Sequence, residues 1–210
     1  MFVEVFAVPR TRASHRAVME RGERMRVTRQ TFLVLALGAN LSLAVQDYDQ
    51  ADRNTTRLAP GAFIDLPAPI RAELERRGCT VPQPFTARRP ENVIQGRFTS
   101  RQQMDWAVLC SRQRMSSILI FRGGSTSDVA ELATEPDITF LQTIDGKGTV
   151  GYSRGIAVTD GRSIRDLAGS SGAARPASID HDGITDAFVK KGSVVWYWHQ
   201  NRWLKFQGAD

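Results

Sequence analysis

The 210-residue sequence is poor in the residue types that most often do chemistry, with two cysteines and three histidines. It contains no H-E-x-x-H and no phosphate-cradling P-loop, so the common signatures of zinc proteases and nucleotide enzymes are missing. Long apolar runs are missing too. The most apolar stretch, starting at Thr31, has about 13 mainly apolar residues, where a helix needs roughly 20 to cross a bilayer core. No stable membrane span is expected beyond it. Excess charge of one sign is scarce once the N-terminus is set aside. The net charge is +6, but residues 1–44 hold seven Arg against three Glu, leaving 21 basic and 19 acidic groups elsewhere. A nearly balanced remainder argues against a nucleic-acid partner.

What is present begins with an address. Arg26 and Arg29 precede Thr31-Phe32-Leu33-Val34-Leu35-Ala36-Leu37-Gly38-Ala39, and Ser42-Leu43-Ala44 closes the stretch. A basic start, a short apolar run and a small-x-small end are the pattern of a secretory signal peptide. The expected organisation is a leader over 1–44, with 1–24 an upstream extension and 25–44 the signal peptide. A polar, flexible linker over 45–62 and one β-rich domain over 63–210 follow. The expected location is secreted or periplasmic.

Leu66 to Gly78 is the clearest helix. Pro67 and Pro69 suit its first turn, Ile70 and Leu74 share a face, and Gly78 suits the left-handed position beyond its end. After Pro90 the chain turns to β. Short runs rich in Val, Ile, Phe and Trp predict strands at Asn92–Phe98, Asp105–Cys110, Ser117–Arg122, Asp128–Leu132, Thr139–Thr143 and Gly155–Thr159. Further strands are predicted at Ala187–Lys190, Ser193–Trp198 and Arg202–Phe206, a short second helix at Ser163–Ala168, and a loop over Gly169–Ala177.

Within this order the chain repeats itself. Gly96 to Leu109 aligns with Ala177 to Val189, so that Asp105 matches Asp186, and a second strand follows each copy (Ser117–Phe121, Ser193–Trp198). Gly96, Phe98, Asp105 and Ala107-Val108-Leu109 in the first copy, with Asp180, Asp182, Gly183 and Asp186 in the second, resemble the FG-GAP repeat of integrin alpha subunits and bacterial exported proteins. The first copy has Ser-Arg-Gln where the family has its central acid and glycine, and Ile179 takes the Phe position in the second. The phrases D-W-A-V-L-C and D-H-D-G also resemble those of small bacterial exported proteins. The resemblance implies calcium in the loop and blades of strands. Two or three blades do not close a propeller, which needs at least about four. The expected fold is therefore mainly β, with antiparallel strand meanders in two FG-GAP-like units, one N-terminal amphipathic helix and a short second helix.

Three constellations are candidate sites. Asp180, Asp182 and Asp186, with the carbonyl of Ile184, can offer calcium several oxygens from one short loop. The same residues also suit an Asx-type turn without metal. In the first copy, Arg101 is the expected substitute for the cation's charge. Cys79 and Cys110 form a disulfide if the chain is exported, and are buried thiols if it is not. Trp196, Trp198 and Trp203 offer a ligand-stacking platform, although Val194, Trp196 and Trp198 on one strand face equally make a sheet core. The function expected from the sequence is an exported non-enzymatic module, either a structural domain or a binder of protein or glycan, steadied by calcium at Asp180–Asp186. The alternative is an exported hydrolase using the Asp180–Asp186 loop.

Overall fold

In the computed structural model the described residues are 48–170 and 179–208; the predicted leader, residues 45–47 of the predicted linker and most of the 169–177 loop lie outside them. The described part is mainly β, in four antiparallel sheets with no closed barrel. The first sheet is a meander of β3 (Val93–Gly96), β4 (Asp105–Arg112), β5 (Met115–Phe121) and β6 (Val129–Pro136). The second repeats that order with β9 (Arg154–Thr159), β10 (Gly183–Phe188), β11 (Gly192–His199) and β12 (Arg202–Gln207). Two ribbons complete the set: β1 (Arg57–Leu58) with β2 (Val81–Pro82), and β7 (Leu141–Thr143) with β8 (Val150–Tyr152).

The side-chain period of two explains how the two meanders stack. On β4 and β5, Ala107, Leu109, Ile118 and Ile120 face one way and meet Ile156 and Ile184 of the second sheet. Trp196 and Trp203 pack against this same cluster. The opposite face carries Val108, Cys110, Leu119 and Phe121, covered by Ile70 and Leu74 of helix α2 (Ala68–Arg76). On the second sheet, Val195, Tyr197 and Phe206 turn away from the first and meet Ile164 of helix α3 (Gly161–Ser170). The layers run helix, sheet, sheet, helix.

Local chemistry sets the helix ends. α2 has prolines in its first turn and stops at Gly78, whose φ of 70° is the left-handed conformation that glycine adopts without cost. Glu73 accepts hydrogen bonds from Arg76 and Arg77, which hold its carboxyl down at about 2. Asp160 caps α3 by accepting from the backbone N–H of Ser163 and Arg162, and is lowered for that reason.

The disulfide is present. Cys79 and Cys110 are bonded with Cα atoms 5.2 Å apart, fastening the end of α2 to β4 across 31 residues. The stretch expected to be a flexible linker is different in its described part. Residues 48–54 form the first helix, α1; β1 follows, and Pro60–Ala62 makes a 3-10 turn. Its polar residues have partners in the fold: buried Asp52 pairs with Arg57 and Arg114, and Arg57 pairs with the fully buried Asp137. Polar composition here reflects a buried ion network, which a reading for apolar periodicity misses.

Candidate functional site

The predicted acidic loop is mostly strand. β10 begins at Gly183, so Ile184 and Asp186 are ladder residues, paired with Trp196 and Val194 on β11. Ile184 is wholly buried. Asp182 Oδ2 accepts the backbone N–H of Arg97 at 2.8 Å, and the Asp182 N–H returns a bond to the Arg97 carbonyl. Asp180 is exposed on the approach to the strand. Asp186 gives both carboxylate oxygens to Arg154, at 2.9 Å each. These acids do not converge, and as placed they do not fit a calcium ion, which wants six to eight oxygens around one point. Among the described residues no group of three or more His, Cys, Asp or Glu is placed to hold a metal.

The first copy behaves in kind. Asp105, wholly buried at the start of β4, accepts from Thr99 N–H and hydroxyl, Gln103 Nε2 and Gly123 N–H, all at 2.7–2.9 Å. Arg101, expected to stand in for a cation, is instead exposed. The alignment of Asp105 with Asp186 is also out of phase, since Asp105 opens β4 while Asp186 is the fourth residue of β10.

Two residues that the sequence reading passed over hold the sheets together. Arg154 is fully buried, and its guanidinium has five N–H donors to satisfy. Two go to Asp186, two to the carbonyl and hydroxyl of Ser116 on β5, and one to the carbonyl of Ala133 on β6. Phe140 lies 4.4 Å from the guanidinium carbon. Asn92 donates to the carbonyls of Pro82 and Arg154 and accepts from the Ile156 N–H. The signals were an Arg opening the otherwise apolar R-G-I-A-V-T strand and an Asn just before β3; neither names its distant partner.

The tryptophans considered as a platform are part of the layer between the sheets. Trp196 and Trp203 pack against that core, Trp198 meets Trp203 edge-on at 5.5 Å, and Arg122 and Lys205 sit over the rings of Trp198 and Trp196.

A different surface carries unspent chemistry. The segment from Pro84 to Glu91 is a loop closed at its base by buried Gln83, which donates to the Glu91 carbonyl and accepts the Glu91 N–H. Phe85 N–H bonds to the Tyr152 carbonyl at 2.7 Å, and Gly151 lies so close beneath that a Cβ there would be 3.0 Å from the Phe85 Cβ. Lys190, on the β10–β11 turn, holds its ammonium 5.4 Å from the Phe85 ring. Two cavities of about 490 Å³ adjoin at Phe85, Ala87 and Arg88. Arg88, Arg89 and Lys190 line them, and no Asp or Glu does.

The chain matches no family model, no curated protein and no solved structure. Function therefore has to be argued from the site. The buried carboxylates bridge backbone and arginine, which is structural work. The Pro84–Glu91 loop presents exposed positive charge beside open volume.

Proposed function

We propose that the protein is an exported, non-enzymatic binding module. The observation that carries this reading is the Cys79–Cys110 disulfide, because such bonds persist in oxidising compartments and are rare in the cytosol. The Arg-rich start, the short apolar run and the small-x-small end at Ser42-Leu43-Ala44 support the same route. The non-enzymatic part is supported by how the carboxylates are used. Asp105, Asp182 and Asp186 each hold a backbone amide or an arginine, so a hydrolase built on the Asp180–Asp186 loop would have to give up contacts that join strands.

Fractionation of source cells tests the proposal, with N-terminal sequencing and thiol alkylation before any reduction. The expected product is extracytoplasmic, begins close after Ala44 and has no reactive thiol. Full-length protein in the cytosol with both thiols alkylated would overturn it.

A further inference from the structure

We propose that the paired cavities along Phe85–Arg89 bind a linear acidic polysaccharide, a refinement that rests on the exported binding module proposed above. The first ground is how charge is spent. Arg57, Arg76, Arg77, Arg112, Arg114, Arg122 and Arg154 each pair with a carboxylate. Arg88, Arg89 and Lys190 are exposed and, like Arg53, Arg97, Arg101, Arg162, Lys191 and Arg202, form no ion pair among the described residues; what sets these three apart is that they line the two adjoining cavities. With no acid lining either cavity, the site favours a ligand that carries the missing negative charge.

Shape and polarity narrow the class. Two cavities in series on a loop clamped by Gln83 suit an extended polymer better than a single small anion. Asn54 and Thr56 also line the first cavity, and the Asn54 amide nitrogen and the Thr56 hydroxyl form no hydrogen bond among the described residues. These are donors suited to sugar hydroxyls. The one aromatic ring common to both cavities, Phe85, already carries Lys190 against it, so it is not a free base-stacking platform of the kind that single-stranded nucleic acids use.

The test uses the oxidised protein with the N-terminus it has when recovered from source cells, and four probes: polygalacturonate, neutral dextran of matched length, polyglutamate and single-stranded DNA. Wild type should bind polygalacturonate, more weakly as salt rises, and should not bind dextran. The Arg88→Ala/Arg89→Ala/Lys190→Ala variant should lose about tenfold or more in affinity, while Arg101→Ala, which removes an exposed cation on the β3–β4 connection, should lose none. Lys190→Gln alone should weaken binding measurably, which keeps the test open if the triple variant folds poorly. Failure of wild type to bind polygalacturonate, equal binding by the variants, or equally tight binding of polyglutamate or DNA would overturn the proposal. Failure of the export reading would show in cell fractionation and would leave these affinities untouched.

Discussion

Arg154, at the start of β9, holds both carboxylate oxygens of Asp186 while its other donors reach across to the first sheet. In the register Arg154 faces Phe188, which puts Asp186 two residues away on the same strand face as its diagonal neighbour. That face is the inner one, shared with Ile156 and Ile184. An acid in the middle of a half-buried strand is costly when alone. Here it is the counter-charge of a buried guanidinium that joins β9 to β5 and β6. The same two groups explain why an acid-and-glycine phrase became a strand instead of a cation loop.

Asn92 should be sensitive to substitution. Its φ of 71° is left-handed, a conformation Asn tolerates better than most residues, and its side chain makes three bonds to the backbone. Asn92→Ala should lower stability by about 2–4 kcal/mol, combining orphaned backbone groups with conformational strain. Urea unfolding checks this; a loss under about 1 kcal/mol would mean the clasp is dispensable.

Loss of the disulfide should weaken the domain through the unfolded chain. A closed loop of this length contributes about 3–4 kcal/mol in the chain-entropy account. Cys79→Ala/Cys110→Ala should therefore shift the urea midpoint down by that equivalent while the folded protein keeps its far-UV spectrum. An unchanged midpoint would contradict the staple.

The pH dependence should differ at the two extremes. Burial pushes the Tyr152 phenol well above its ordinary value of 10.0, with the Asp137 charge adding to the effect. A group with a raised folded pKa contributes stability that is complete below the unfolded value and lost as pH rises toward the folded one. Stability should fall above pH 10, less steeply in Tyr152→Phe, as thermal melts across that range would report. Glu73 has the opposite sign. Its carboxyl, lowered from 4.5 to about 2 by Arg76 and Arg77, contributes above pH 4.5 and loses that contribution as pH falls through about 2. Arg76 is largely solvent-exposed, so salt should blunt its share of the acid effect. A Glu73→Gln protein with the same acid profile as wild type would contradict it.

Much of the architecture was legible because it is local. The Ile70–Leu74 spacing marked α2, and short runs rich in Val, Ile, Phe and Trp marked β4, β5, β11 and β12. A pair of cysteines marked the staple. The acids at 180–186 misled because a strand interior holding Asp186 makes sense only once Arg154, 32 residues earlier, is in view. β1, β2 and β8 are two or three residues long, too short for periodicity to register. The cationic loop was invisible for another reason. Arg88 and Arg89 are two among many arginines until the fold brings Lys190 to the adjoining cavities that they line.

A double-mutant cycle on Arg154→Met and Asp186→Asn, followed by urea unfolding with calcium and with chelator, tests the structural account most directly. Each single change should cost about 3–5 kcal/mol by stranding a buried partner. The double variant should lose less than the summed single losses by about 2 kcal/mol or more, and calcium should alter none of the four proteins. Additive losses, or an Asp186→Asn defect that disappears when chelator is added to all samples, would show that the carboxylate serves a cation and not Arg154.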